Sequence, residues 1–253
     1  MNTSNKILAG FFTIVFLVPV FMLIGFSKKI KNGQFMVVKR ESYEDANFRS
    51  GSFNSYKVIK LIAPPGRALK CNFQYSDSMY YSYNMGSGDS IMVYNMADTV
   101  FVQYINPKRT QDANSMTELY VDMKLPAIEN LIVENAEATI ISMDTSGNKN
   151  LSVEILGTGV LNIGVPEENK NDNDISLQTP YKLNQLSVKA THADLALGKN
   201  VNIRQLKLQG NGASVISIAE GAVIEEIQGN LSDSSSVKAS WKYVKRLATL
   251  TQN

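Results

Sequence analysis

The feature that most restricts the fold of this 253-residue chain is an internal repeat of about 20 residues. Residues 184–188 (NQLSV) align with residues 204–208 (RQLKL), and residues 225–227 (EEI) follow 21 positions later. Leu247 continues the series another 20 positions on, and residues 129–133 (ENLIV) have the same form upstream. A period near 20 with short apolar strands is typical of a parallel β-solenoid, in which each coil buries its apolar face against its neighbours.

Each repeat unit contains two short strands joined by a corner of small residues. In one unit these are residues 151–155, the corner 157–159 (GTG) and residues 160–165, and later units turn at residues 190–193 and 209–213. We expect the inward Leu, Val and Ile side chains to stack between coils. A leucine-rich repeat is not supported, because its L-x-x-L-x-L-x-x-N signature is missing. A plain antiparallel sandwich remains the structural alternative.

Three further features belong to the repeat region. Residues 166–180 (PEENKNDNDISLQTP) form a polar insertion between coils, and a loop of that length is expected at the surface. Residues 232–236 (SDSSS) predict a polar turn. Because the last coil of a solenoid needs a cap, we expect Trp241 to lie over it.

Strand patterns also fill the region before the repeats. The predicted strands are residues 56–63, 69–75, 79–85, 90–94, 99–105 and 118–124, and residues 106–115 form a polar loop. Their hairpin-like spacing predicts a small antiparallel sheet or sandwich packed beside the repeats. The predicted organisation is therefore an anchor at 1–31, a β-rich part at 32–124 and a solenoid with a C-terminal cap at 125–253.

Residues 7–26 (ILAGFFTIVFLVPVFMLIGF) form an uncharged apolar segment. A helix of this length matches the hydrocarbon core of a bilayer, which is roughly 30 Å thick. The segment is longer than the apolar part of a cleaved signal peptide, which favours an uncleaved anchor. A cleaved signal and a buried core helix are the alternatives.

The lysines around this segment bear on its orientation. Lys28, Lys29 and Lys31 follow it, and only Lys6 and the amino terminus precede it. The positive-inside bias taken alone would keep the body in the cytoplasm, although large trailing domains can translocate despite such flanks. We expect a single-pass protein of the bacterial inner membrane with a periplasmic body.

The composition excludes several classes of protein. The 25 basic and 23 acidic residues are nearly balanced, which argues against a nucleic-acid binder. The only cysteine is Cys71, so no intramolecular disulfide is possible, and the only histidine is His192. Metal clusters and catalytic triads that need several histidines are therefore excluded.

The carboxylates do not form a catalytic pattern in the sequence. Glycoside hydrolysis needs two carboxylates at a defined separation, and a lyase needs a base beside carboxylates that bind a metal. The carboxylates of the repeats are scattered: Glu134, Glu137, Glu154, Asp194, Glu225 and Glu226. The triplet at 172–174 (DND) lacks the glycine and the downstream glutamate of a calcium loop. We expect His192 to be structural, and we predict no catalytic, cofactor-binding or metal-binding residues.

Four tyrosines lie close together in the N-terminal part: Tyr75, Tyr80, Tyr81 and Tyr83. A set of aromatic rings can be a stacking platform for sugars or bases. Half-buried aromatic residues on a sheet face give the same pattern. We favour the second interpretation, because no basic patch accompanies the rings.

Residues 125–133 (LPAIENLIV), followed by residues 151–155, the 157–159 corner and units of about 20 residues, resemble a known family. The family is named putative auto-transporter adhesin, head GIN domain. The resemblance spans residues 53–240 and implies a right-handed β-solenoid that is exported or membrane-anchored in bacteria. It also implies adhesion, and it brings no catalytic residues.

The favoured hypothesis is a non-enzymatic, membrane-anchored envelope protein with an adhesin-like binding or scaffold domain and no cofactor. Its expected partners are the membrane, through residues 7–26, and an envelope protein or polysaccharide. One alternative is a β-helix carbohydrate-active enzyme, either a lyase or a hydrolase. Another is a cytosol-facing, membrane-anchored sensor.

Overall fold

The alternation of apolar and polar residues produces strands along most of the described chain. The computed structural model describes residues 48–53, 55–84, 90–105, 118–142, 149–164, 181–240, 242–243 and 251–252. Its strands are β1 (Phe48–Ser52), β2 (Val58–Ile62), β3 (Leu69–Tyr75), β4 (Tyr80–Asn84), β5 (Ser90–Met96), β6 (Thr99–Ile105), β7 (Leu119–Leu125), β8 (Asn130–Glu134), β9 (Glu137–Ile140), β10 (Asn150–Leu156), β11 (Val160–Ile163), β12 (Tyr181–Thr191), β13 (Asp194–Leu197), β14 (Val201–Asn211), β15 (Val215–Ile218), β16 (Val223–Leu231), β17 (Ser236–Ala239) and β18 (Thr251–Gln252).

These strands form two sheets, and most neighbouring strands are parallel. Sheet A has the order β1-β4-β7-β3-β9-β11-β13-β15-β17, and sheet B has the order β18-β16-β14-β12-β10-β8-β2-β6-β5. Only the pairs β1–β4, β4–β7 and β5–β6 are antiparallel among the described strands. The all-β class is confirmed, and two largely parallel sheets are consistent with a β-solenoid.

From β8 onward the chain alternates strictly between the sheets. Each even-numbered strand lies in sheet B and each odd-numbered strand lies in sheet A, so one pass through both sheets forms one coil. Leu186 pairs with Leu206, which pairs with Ile227, as the repeat predicts. Leu131, however, pairs with Val153, and Val153 pairs with Val188. The upstream alignment, which matches Leu131 to Leu186, is therefore wrong by two residues; such a slip keeps each side chain on its face.

The predicted antiparallel arrangement of the N-terminal part is wrong for its central strands. In sheet B, β2 lies between β6 and β8 and is parallel to both, and in sheet A, β3 lies between β7 and β9 and is parallel to both. These strands therefore share both sheets with the repeats. The physical reason is that β2 and β3 lie in different sheets, so consecutive strands do not pair. Alternation in a sequence reports the buried face and not the pairing partner.

The N-terminal strands are also stacked out of chain order. The β6–β7 coil lies between the β2–β3 coil and the antiparallel strands β4 and β5. After β7 the chain crosses over the β2–β3 coil and begins β8 on the other side of it. The Tyr56 hydroxyl donates a hydrogen bond to the carbonyl of Ala127 on this crossing segment. This bond joins the segment before β2 to the connection between β7 and β8.

The core lies between the sheets and follows the strand alternation. In β7 the residues alternate between buried and exposed along the whole strand, and β12 and β14 bury Leu186 and Leu206 completely. Burial of each such side chain contributes about 1.5–3 kcal/mol. Tyr243 is buried near the C-terminal end, where its hydroxyl donates to the carbonyl of Ala222. This bond joins the C-terminal segment to the turn before β16.

Corners between sheet B and sheet A contain residues in the left-handed conformation. Asn135, Gly157, His192 and Gly212 all have positive φ angles between 53° and 66°. The amide of His192 donates to the carbonyl of Asn211 in the next coil, over 3.1 Å. A Cβ added to Gly212 would lie 2.4 Å from the His192 ring, so the ring occupies space that only glycine leaves open. His192 is therefore an exposed corner residue with a structural role.

Several predictions fall outside the described residues. These are the span at 7–26 with Lys28, Lys29 and Lys31, the loop 106–115, the insertion 166–180 with its 172–174 triplet, Trp241 and Leu247. Within the described part of the chain, no helix has the length and apolar character needed to cross a membrane. The turn at 232–236 is confirmed, because the amide of Ser235 donates to the carbonyl of Ser232 over 2.9 Å.

We expect Tyr181→Phe to stabilise the protein. The Tyr181 hydroxyl is buried without a hydrogen-bond partner among the described residues, and burial raises the pKa of Tyr181 to about 12 from its ordinary value of 10. Removing an unpaired buried hydroxyl should raise the free energy of unfolding by about 1–3 kcal/mol. The folded state also favours the neutral form of this hydroxyl. The ionisation of Tyr181 therefore leaves the free energy of unfolding unchanged below pH 10 and lowers it as the pH rises from 10 towards 12.

Urea unfolding of both proteins at pH 8 and at pH 11 measures these effects. The wild type should lose more stability between the two pH values than the variant does. A variant that is less stable at pH 8, or that keeps the full alkaline loss, would show that the Tyr181 hydroxyl has a partner.

Candidate functional site

The outer face of sheet B changes character along the stack of coils. On β2, β5, β6 and β8 eight of the fourteen outward side chains are apolar, and we call these eight the apolar patch: Val58, Ile62, Met92, Tyr94, Met96, Phe101, Ile105 and Ile132. On β10, β12, β14 and β16 they are polar or charged, and we call the following set the polar strip: Ser152, Glu154, Ser187, Lys189, Lys207, Gln209, Gln228 and Asn230. One continuous sheet therefore presents two chemically different surfaces.

A groove lies at the start of the polar strip and crosses three coils. It has a volume of about 490 Å³ and is lined by Glu129, Asn130, Lys149, Asn150, Leu151, Ser152, Gln185 and Ser187. We call it the polar groove. Seven of its eight lining residues carry hydrogen-bonding or charged side chains, which suits a hydroxyl-rich ligand better than an apolar one.

Parallel stacking brings these side chains together. Asn150 pairs with Gln185, and Ser152 pairs with both Asn130 and Ser187. The Gln185 amide donates to the Ser187 hydroxyl over 2.8 Å, and Asn184 donates to Asn150 over 3.1 Å. These contacts fix the orientation of the side chains before any ligand arrives.

Two other concave regions are less suited to a polar ligand. A groove of about 650 Å³ runs along the ends of β13, β15 and β17, but most of its lining side chains are small, such as Ala196, Ala219 and Ala239. A cavity of about 20 Å³ beside Pro126 and Leu183 has room for about one water molecule. The polar groove is therefore the best candidate binding site among the described residues.

Three of the carboxylates considered in the sequence, Glu134, Glu137 and Glu154, form ion pairs between coils. Glu134 contacts Lys60 over 3.1 Å, and Glu154 contacts Lys189 over 2.8 Å. Glu226 instead accepts a hydrogen bond from Gln205 over 3.2 Å. All of these groups are partly exposed, so each pair contributes only about 0–1 kcal/mol.

One cluster on sheet A combines a lysine with two carboxylates. The Lys70 ammonium lies 3.1 Å from Glu118 and 3.9 Å from Glu137, and Tyr120 donates a hydrogen bond to Glu118. The hydrogen bond to Glu118 raises the pKa of Lys70, and the bonds from Tyr120 and Lys70 lower the pKa of Glu118. A lyase base must lose its proton and a general acid must keep its own, so both shifts run against catalysis.

The remaining candidates stay apart. His192 is in the corner between β12 and β13, and Cys71 is buried in the core, where desolvation raises the pKa of its thiol well above the usual value. Among the described residues, no three His, Cys, Asp or Glu side chains converge as a metal site would require.

The four tyrosines divide between different surroundings. Tyr81 and Tyr83 stack with centroids 6.2 Å apart, Phe53 stacks on Tyr81, and all three pack against the core. Tyr75 and Tyr80 are 43% and 39% exposed. The half-buried interpretation therefore holds for Tyr81 and Tyr83, and the four rings do not form one platform.

The polar groove was not predicted from the sequence. Its residues come from three segments that lie far apart in the sequence, at 129–130, 149–152 and 185–187. The available signal was the repeat itself: a correct register for residues 129–133 would have placed Asn130, Ser152 and Ser187 in one row.

No protein-family model matches the chain, and no curated protein is significantly similar to it. Several solved structures are similar over about three quarters of the chain. A putative adhesin from Parabacteroides merdae superposes with a TM-score of 0.47 at 9% identity, over 76% of this chain and 80% of that chain. A putative adhesin from Parabacteroides distasonis gives a TM-score of 0.45 at 10% identity, again over 76% and 80%.

A third similar structure is a putative adhesin from Bacteroides fragilis, with a TM-score of 0.42 at 11% identity over 76% of this chain and 90% of that chain. None of the three is described as a head GIN domain protein. At such identities and TM-scores, the similarity assigns neither a family nor an activity to this chain.

Proposed function

We propose that this chain is a non-enzymatic, membrane-anchored envelope protein that binds an extended, hydroxyl-rich polymer, such as a polysaccharide, along sheet B. The observation that carries the proposal is the polar groove, which crosses three coils and continues into the polar strip. A rigid row of Asn, Gln and Ser side chains can exchange donors and acceptors with successive hydroxyl groups. A stacked solenoid presents such a row without interruption.

The resemblance to the head GIN domain family supports an adhesin-like or scaffold role and belongs to the same proposal. The proposal also includes a right-handed coil, because crossover connections between parallel strands are right-handed in the great majority of proteins. The Lys70 cluster is poorly suited to acid–base catalysis, because its hydrogen bonds raise the pKa of Lys70 and lower the pKa of Glu118.

Anchoring through residues 7–26 in the bacterial inner membrane, with a periplasmic body, completes the proposal. Protease added to intact spheroplasts measures the orientation: a periplasmic body is digested, whereas a body protected until the membrane is lysed would favour the cytosol-facing sensor.

An array of bacterial surface polysaccharides, probed with the full chain in detergent, tests the binding function. Gln185→Ala removes a donor from the groove and should weaken the strongest binding by about three- to tenfold, the value of one hydrogen bond. Lys238→Ala, on the outer face of sheet A, is the matched control and should bind like the wild type. Binding to no polysaccharide, or equal losses in both variants, would contradict the proposal.

A further inference from the structure

We propose that the apolar patch of sheet B rests on the surface of the lipid bilayer in which residues 7–26 anchor the chain. The inference rests on the membrane anchoring proposed above and adds a second contact, made by the folded body. It concerns the outward faces of β2, β5, β6 and β8 only.

The first support is the composition of the patch. Met92 and Met96 are 48% and 61% exposed, and the Tyr94 and Phe101 rings stack with centroids 5.0 Å apart. Exposed apolar surface of this kind marks an interaction site on a soluble body. Tyrosine, with an apolar ring and a polar tip, is enriched where a protein meets the membrane–water interface.

The second support is the charge within the patch. Lys60 projects from its centre, and its ammonium is paired with Glu134 on the next strand over 3.1 Å. The pair is neutral as a unit, so contact with lipid would leave no uncompensated charge. Beyond β8 the same rows carry Ser152, Glu154 and Lys189, and the polar strip begins.

The third support is the length of chain between the anchor and the body. Residues 27–47 connect the predicted span to Phe48, the first residue of β1. About 20 residues reach at most about 70 Å when fully extended. β1 and β5 are the end strands of sheets A and B at the same end of the stack. The length of this connection allows the patch to reach the bilayer surface.

A matched pair of tryptophan variants tests the contact. In the full chain with Trp241→Phe, Met96→Trp places the only tryptophan on the patch, and Lys207→Trp places it on the polar strip. Both positions lie in one cross-strand row, six strands apart, or about 29 Å. The proteins are reconstituted in vesicles of phosphatidylethanolamine and phosphatidylglycerol with brominated acyl chains, and circular dichroism checks the fold. Met92→Trp replaces Met96→Trp if that variant misfolds.

We expect the brominated lipids to quench the tryptophan at position 96 and to leave the one at position 207 bright. A blue-shifted but unquenched Trp at position 96 would mean that protein, such as a second copy of the chain, covers the patch, and would overturn the proposal. Protein that floats with the vesicles but shows no quenching would overturn patch contact and leave the anchor intact. Protein that does not float with the vesicles would overturn the anchoring itself.

Discussion

Gly229→Ala is expected to destabilise the fold by about 3–5 kcal/mol. Gly229 lies in β16 with a φ of 149°, a conformation that residues with a side chain rarely adopt. A Cβ at this position would lie 1.7 Å from the carbonyl oxygen of Leu208, its register partner on β14. The clash is with backbone, so no side-chain rotation relieves it, and β16 would have to separate from β14.

Gly66→Ala is the matched control for this substitution. Gly66 has a φ of 77° in the turn after β2, and no atom lies within 4 Å of a Cβ added there. Only the conformational cost remains, about 1 kcal/mol. Urea unfolding of the two variants gives the comparison, and equal losses would show that β14 and β16 do not approach each other as described.

Phe73→Ala is expected to cost about 3–5 kcal/mol as well. Phe73 is fully buried in β3, where it is the register partner of Met123 on β7 and Ile140 on β9. Its carbonyl also accepts a hydrogen bond from the amide of Ile141 over 2.8 Å. The residue therefore joins the N-terminal strands to the repeats, and its loss should loosen both.

Hydrogen exchange with mass spectrometry measures that coupling directly. Peptides from β9 should lose protection together with those from β3 and β7, and Gln74→Ala, the outward neighbour on β3, should change little. Loss of protection confined to residues 48–125 would contradict a shared core and would favour two independent parts, divided near residue 124.

The repeat region was predictable because its signal is periodic. Inward Leu and Ile residues recur every 20 or 21 positions, and parallel stacking of identical coils is the arrangement that buries them all. The strands at Leu69–Tyr75 and Thr99–Ile105 have the predicted bounds for a similar reason, since strict alternation marks a half-buried strand.

The order of the N-terminal coils was not predictable from the same signal. The alternation pattern predicts that Phe73 and Val102 are buried, but it does not indicate which strands pair with theirs. Insertion of β6–β7 beside β2–β3 is decided by long-range contacts, such as the bond from Tyr56 to Ala127. Likewise, the two-residue slip at 129–133 hid the groove, because a period of two leaves the burial pattern unchanged.

The division of sheet B into apolar and polar parts was not predictable from the sequence for the same reason. Outward residues of a strand are free to vary without affecting the core, so Met96 and Lys207 share a row with no local signal that links them. Only the coil order brings the apolar positions of β2, β5, β6 and β8 together.

The parallel register of β10 and β12, on which the polar groove depends, is most directly tested by spin labels at Ser152→Cys and Ser187→Cys. These outward residues are register partners on strands about 4.8 Å apart. Cys71 stays unlabelled, since it is 1% exposed and burial raises the pKa of its thiol. The doubly labelled protein should give an electron paramagnetic resonance spectrum dominated by spin exchange. A spectrum equal to the sum of the two single labels would contradict the parallel solenoid.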